Sequence, residues 1–348
     1  MGDHVTGIDV PRVSAWLADA VPGAVAPFSF ELVAGGRSNL TFRVTDAAGH
    51  AWALRRPPVS HVLPTAHDMV REHTVIAALG PVGIPVPTIV ALCTDESVNE
   101  RPFYVMSFVD GHILRDAAQA ERELSVDARG RVGTALATTL ARLHAVDPEQ
   151  VGLGGLARHD GYIERQLRRW RGQYDQMQVE GVDQGDVVAE VGDELARSIP
   201  AQQRVSVVHG DYRLDNTVLA DDGSVRAILD WEICTLGDPL ADVGLLCDYW
   251  ADPGEGQAAL LGQAPTSAPG FERRDEVLKA YEAASDLDCS QIPYYRAFGY
   301  WKLACILQGV FARYVAGAAG GDSGSVDAYP AHVRTLAQTA RSLLDSRP

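Results

Sequence analysis

A change of hydrophobic rhythm at Asp110-Gly111 constrains this chain more than any other feature. Before it, the runs Phe28–Val33, Leu40–Thr45 and Ala51–Arg55, separated by Gly35-Gly36 and Ala48-Gly49, read as an antiparallel meander. A short helix from about Pro11 to Ala20 precedes them. A second, from about Thr65 to Leu79, follows and is stopped by Gly80-Pro81. Strands are expected next at Pro87–Cys93 and Pro102–Val109. Past a hinge near Ser107–Gly111, helical spacing takes over: Val132, Leu136, Leu140 and Leu143 form a buried stripe within Ala128–Ala145. Further helices are expected at Gly161–Met177, Gly185–Ser198, Leu240–Tyr249, Glu272–Ala284, Pro293–Val315 and His332–Leu344. Two β-like runs, Val205–Val208 and Val225–Leu229, sit among them, and Ala251–Phe271 reads as a long loop. The pattern predicts an α+β molecule, with residues 1–108 as a small antiparallel-sheet lobe and 109–348 as a larger helical lobe.

Composition then removes whole classes of function. The 348 residues include 46 acidic and 30 basic side chains, a net charge of -16, and no local basic patch is evident, so a nucleic-acid partner is not expected. The longest apolar stretch, Ala297 to Phe311, is interrupted by Lys302 and is too short to span a bilayer, so no membrane partner is expected. Five cysteines, odd in number and without a CxxC pair, argue for reduced thiols. No charged-then-apolar leader is seen, and a cytoplasmic location is expected. Only Lys279 and Lys302 are lysines, and neither follows a glycine, so the GxxxxGK[ST] phosphate loop is absent. HExxH, GxSxG and GxGxxG are absent too, and His67 and His73, six apart, do not share a helical face. The sequence is silent on oligomeric state.

The sharpest motif is His209-Gly210-Asp211-Tyr212-Arg213-Leu214-Asp215-Asn216, directly after the apolar run Val205–Val208. Its Asp-x4-Asn spacing lets one loop aim a carboxylate and a carboxamide at a single point. The carboxylate suits acceptance of a hydroxyl proton, and the amide oxygen suits a metal ion. Fourteen residues after Asn216 comes Asp230, within Ile228-Leu229-Asp230-Trp231-Glu232. On an extended segment, acids two apart point to one side, and converging oxygens suit Mg²⁺. An exposed strand with two solvated acids is the plainer alternative.

Together, HGDYRLDN and LDWEICTLGDPLAD resemble the aminoglycoside phosphotransferase-like family of small-molecule kinases, relatives of choline kinase and of protein kinases. The wording is closest to the phosphotransferase domain related to acyl-CoA dehydrogenase fusion proteins, and the resemblance covers nearly the whole chain. It implies a bilobal protein-kinase-like fold using ATP and Mg²⁺. Asp211 would orient and deprotonate an acceptor hydroxyl; Asn216 and Asp230 would hold Mg²⁺; Glu232 would support them or take a second ion. Arg213 either neutralises charge on the transferring phosphoryl group or faces solvent. His209 and Asp242 are expected to brace the loop, with Gly210 at a tight backbone position and Asp238 capping a helix.

In the small lobe the resemblance sets Arg55 where the family usually presents lysine, anchoring the nucleotide phosphates, with Glu72 as partner and Arg56 as the competing candidate. Gly35, Gly36, Arg37, Ser38 and Asn39 would lie over the phosphates, although GG alone signals a hairpin turn. The backbone of Ser107 and Val109 would meet the adenine edge.

The expected function is ATP- and Mg²⁺-dependent transfer of the γ-phosphoryl group to a hydroxyl of a small-molecule acceptor. The acidic stretch Asp175–Glu194 either attracts a polycation such as an aminoglycoside or is a solvated helix face. The likeness to domains attached to acyl-CoA dehydrogenases points instead to a hydroxylated acyl compound. Tyr294, Tyr295, Phe298, Tyr300 and Trp301 either line an acceptor pocket or pack in the core. A catalytically silent nucleotide-binding module is the alternative, favoured by arginine at position 55. A kinase acting on protein side chains ranks behind both, because Asp230–Glu232 runs quickly into Gly237-Asp238-Pro239.

Overall fold

The computed structural model describes residues 5–34, 39–59, 68–180, 186–252, 255, 264–317 and 328–346. The chain divides into two compact units: Met1–Gly111 with Arg226–Cys234, and His112–Val225 with Thr235–Pro348.

The first unit is built on a five-stranded antiparallel sheet. Its strands are β1 (Ser29–Ala34), β2 (Leu40–Thr45), β3 (Ala51–Arg56), β4 (Ile89–Cys93) and β5 (Phe103–Ser107), in spatial order β1-β2-β3-β5-β4. Strict alternation on β2 buries Leu40, Phe42 and Val44. These meet Leu54, Phe103 and Val105, and the sheet face is covered by Val13 and Leu17 of α1 (Val10–Ala20). Helix α2 (Met69–Leu79) is capped by Asp68, which accepts from the Arg71 amide at 3.0 Å. The expected start of that helix at Thr65 falls outside the described residues. Both later strands are shorter than expected, and each begins beyond its proline, which has no N–H to give a ladder. A one-turn helix, α3 (Glu96–Asn99), joins them.

The second unit is helical: α4 (Ala117–Glu123), α5 (Val126–His144), α6 (Tyr162–Gln176), α7 (Val187–Arg197), α8 (Leu240–Tyr249), α9 (Arg274–Ala284), α10 (Ile292–Val315) and α11 (Tyr329–Asp345). The predicted stripe of α5 is fully buried. Tyr294, Tyr295, Phe298, Tyr300 and Trp301 of α10 are buried as well. Their polar tips are satisfied inside: Tyr294 Oη donates to Leu195 O at 2.9 Å and Trp301 Nε1 to Val188 O at 2.8 Å. These aromatics are core. Short strands punctuate the helices: β6 (Ser206–Val208) pairs antiparallel with β9 (Thr235–Gly237), while β7 (Thr217–Leu219) and β8 (Val225–Ile228) flank a turn at Ala220–Ser224.

All five cysteines are buried thiols, and no described helix is long and apolar enough to cross a membrane.

Candidate active site

In the first unit, successive residues of β3 point to opposite faces, which separates the two adjacent arginines. Arg56 is buried with its guanidinium on the Gly7 and Pro57 carbonyls. Arg55 faces the other way. Its Nε donates to Glu72 Oε2 at 3.1 Å, its Nη1 to Thr41 Oγ1 at 3.3 Å, and its Nη2 to Asp230 Oδ1. Met69, Glu72, Ile76 and Leu79 form the buried stripe of α2, so Glu72 is the charged member of an apolar face. Burial raises the Glu72 pKa above its ordinary value, and Arg55 only partly offsets this. The same burial weakens the Arg55 charge, but Glu72 and then Asp230 more than restore it, so its pKa rises.

Glu72 also accepts the Trp231 amide on Oε1 at 3.2 Å. It thus ties β3 to the Asp230–Glu232 segment. That segment is not extended. Asp230 has φ +63°, in the left-handed region, so the equal-facing geometry expected of acids two apart does not arise there. The Asp230 carboxylate goes to Arg55, whereas Glu232 Oε2 accepts from Asn39 Nδ2 at 3.1 Å. Asn39 is buried, and its Oδ1 has no partner among the described residues. Gly35, Gly36, Arg37 and Ser38 lie outside the described residues. The Ser107 amide donates to Thr88 O at 2.8 Å, and the Val109 amide has no hydrogen-bond partner among the described residues.

In the second unit, the HGDYRLDN loop leaves β6 and is gripped from below by α8. Asp242 Oδ2 accepts the His209 amide at 2.7 Å, and Oδ1 accepts the Gly210 amide at 2.8 Å. Gly210 has φ +86°, which a side chain would strain. The His209 ring is buried and its Nδ1 accepts the Asp211 amide at 3.3 Å. Asp242 is itself buried, which by itself raises a carboxylate pKa. His144, at 3.4 Å, and the loop amides reverse the sign and hold it below its ordinary value. Pro239, not Asp238, stands at the N-cap of α8; Asp238, one residue earlier, accepts the Leu240 amide on Oδ1 at 3.1 Å, and its Oδ2 accepts from Tyr295 Oη at 2.7 Å.

Asn216 Nδ2 donates to both Asp211 O and Asp211 Oδ2, each at 2.9 Å. The carboxamide oxygen is therefore turned away from that contact. Arg213 lies 3.2 Å from Asp211 and 2.9 Å from Asp215, with its guanidinium 4.8 Å from the Tyr249 ring centroid. It does not simply face solvent. Burial pushes the Asp215 pKa up, against the pull of Arg213.

Asp215, Tyr249 and Lys302 gained no role from the motif. Lys302 sits 5.8 Å from the Trp170 ring, and burial lowers its pKa even though Asp211 and Asp242 lie near enough to favour its charge. Its sequence signals are its rarity and its place inside the longest apolar stretch, Ala297 to Phe311.

The donors offered by Asn216, Asp230 and Glu232 are all oxygens, which fits a hard cation. Among the described residues no three His, Cys, Asp or Glu side chains gather into a protein-only metal cage. Mg²⁺ that takes some of its ligands from a substrate's phosphates needs no such cage.

Residues 29–277 match the model of the phosphotransferase enzyme family, and the chain belongs to that family. It is 34% identical over 331 residues to acyl-CoA dehydrogenase family member 11 of Gallus gallus, covering 90% of this chain and 41% of that protein. With acyl-CoA dehydrogenase family member 10 of Mus musculus it shares 33% identity over 299 residues, 82% of this chain and 26% of that protein. The chain thus spans a quarter to two fifths of these relatives. A solved structure of a putative aminoglycoside phosphotransferase from Ralstonia eutropha superposes with a TM-score of 0.80 at 30% identity, over 98% of this chain and 99% of that one. Choline kinase from Cryptosporidium parvum shares the fold, with a TM-score of 0.67 at 13% identity over 97% of each chain. The fold is kinase-like, with an antiparallel-sheet unit and a helical unit.

Proposed function

We propose that this protein moves the γ-phosphoryl group of ATP, with Mg²⁺, to a hydroxyl of a small-molecule acceptor. The supporting observation is the braced loop, in which Asp242 and His209 fix the backbone and Asn216 fixes the Asp211 carboxylate. A base held this firmly needs little reorganisation when an acceptor arrives. In this reading the acceptor oxygen bonds to the γ-phosphorus, the bond to the ADP oxygen breaks, and the hydroxyl proton passes to Asp211. Arg213 neutralises charge on the moving phosphoryl group. Asn216, Asp230 and Glu232 would hold Mg²⁺, which when bound screens the phosphate charges.

Residues 1–108 would bind the nucleotide. Gly35–Asn39 and Arg55, steadied by Glu72, would seat its phosphates, while the Ser107 carbonyl and the Val109 amide would meet the adenine edge. Residues 109–348 would carry the loop and the acceptor.

For the acceptor, four carboxylates of the acidic stretch share two arginines. Asp175 and Asp193 pair with Arg171, and Glu190 and Glu194 with Arg341. The names of the curated relatives favour a hydroxylated acyl compound. Buried thiols suit a reducing, cytoplasmic setting.

Isotope transfer from γ-labelled ATP across a panel of hydroxylated metabolites tests the proposal. Asp211→Ala should keep nucleotide binding and slow transfer by about 10²- to 10⁴-fold. Transfer at the parent rate by that variant would remove Asp211 from its role. A silent nucleotide-binding module is the second reading, favoured by the Arg55 contact with Asp230. Tight ATP binding with no labelled product across the panel selects it.

A further inference from the structure

A cleft of about 740 Å³ opens at the start of α6, walled by Arg158, His159, Asp160, Arg165 and Arg168 among others. A second cavity of about 320 Å³ lies alongside and shares two of its wall residues, Glu164 and Arg168. The two therefore form one groove with unlike ends. The far end is lined by Leu167, Ala196, Ile199 and Trp301, together with the Arg171–Asp193 ion pair.

At the near end, Arg158, Arg165 and Arg168 form no ion pair among the described residues. Other arginines of this acidic chain, among them Arg55, Arg204, Arg274 and Arg296, are held by carboxylates. Arg171, in the adjoining wall, is held by Asp175 and Asp193, each at 3.0 Å. Three uncommitted guanidiniums outnumber the two carboxylates, Asp160 and Glu164, that share the cleft. Arg165 and Arg168 lie three apart on α6 and so on one side of it. Arg165 Nη2 also donates to Arg158 O at 2.9 Å, which fixes its fork beside the Arg158 backbone. His159 is bound to Gly154 O at 2.9 Å and is not counted as a free cation.

We infer that this groove binds an amphiphilic anion, a small molecule with a phosphate or carboxylate head and a short apolar tail. Planar guanidiniums take oxyanions two oxygens at a time, and each methylene of the tail removed from water strengthens binding further. None of the groove residues belongs to the set assigned to phosphoryl transfer, so the site stands apart from that function.

Calorimetric titration of the full chain with octyl phosphate, below its micelle concentration, tests this. Saturable one-to-one binding is expected, weakened at least tenfold by Arg165→Ala with Arg168→Ala. Ala196→Trp, at an exposed helical position that faces the apolar end, should also weaken octyl phosphate at least tenfold, and serves if the arginine variant does not fold. Octanol and orthophosphate should each bind at least tenfold more weakly than octyl phosphate. Octanoate separates the two sources of the head: parity assigns a carboxylate, and much weaker binding assigns a phosphate ester. Undiminished binding by the folded variants, or octanol or orthophosphate binding as tightly as octyl phosphate, overturns the inference.

Discussion

Arg55 joins Glu72 and Asp230 through one guanidinium, with Nε on the first carboxylate and Nη2 on the second. Glu72 is 1% exposed, so its charge depends on that partner. Removing one member of a buried pair strands the other, at a cost of about 3–5 kcal/mol. Arg55→Met should therefore lose about 3 kcal/mol in urea unfolding, and Arg55→Met with Glu72→Gln should regain part of it. Equal stability of Arg55→Met and the parent would show the pair to be idle.

Arg55→Lys has a different expected outcome. An ammonium keeps the charge but lacks the fork that spans two carboxylates. Asp230 is then released while Glu72 stays paired. Under the proposed function, the Mg²⁺ concentration needed for half-maximal nucleotide binding should fall several-fold, read by calorimetry. An unchanged metal requirement would mean that Arg55 and the cation do not compete for Asp230.

The Asp242 clamp predicts an acid limit. Its folded pKa lies below the ordinary 3.8, so its contribution is fully present above that value and is lost as pH falls through the folded one. Asp242→Ala leaves the His209 and Gly210 amides without their acceptor and should cost about 2–5 kcal/mol at neutral pH. The gap between variant and parent should narrow on acidification below about pH 4. Paired unfolding curves from pH 7 to pH 3 check both statements.

His112 predicts a slope of the opposite sign. Its ring lies 2.8 Å from Asp221 and 2.7 Å from Glu123, and these contacts raise its pKa above 6.5. That stabilisation is complete below the unfolded value and disappears as pH climbs through the folded one. His112→Gln should flatten the decline of the melting temperature as pH rises above 6.5. Added salt should shrink the effect, because Asp221 is exposed.

Much of this architecture was legible because its signals are periodic or chemically specific. The stripe of α5 and the alternation of β2 repeat often enough to be read from one chain. The Glu72 partnership followed from the family resemblance of the small lobe. What escaped was short or conformational. Strands β7 and β9 have three residues each, too few for a period to show. Helix α4, seven residues long, buries only Ala120 and so writes no apolar stripe. The left-handed turn at Asp230 sends its carboxylate to Arg55, and nothing in Leu229-Asp230-Trp231 announces a positive φ on a residue other than glycine.

The segment Arg226–Cys234 follows the HGDYRLDN loop in sequence but belongs to the first unit. There the Ile228 amide donates to Pro85 O at 2.7 Å and the Trp231 amide to Glu72 at 3.2 Å. Cutting the gene after Gly111 would therefore not liberate a finished piece. The N-terminal fragment would leave Arg55 and Glu72 without their second contacts. A split version of this protein meant for complementation would have to supply those nine residues again, by fusing them onto the first fragment.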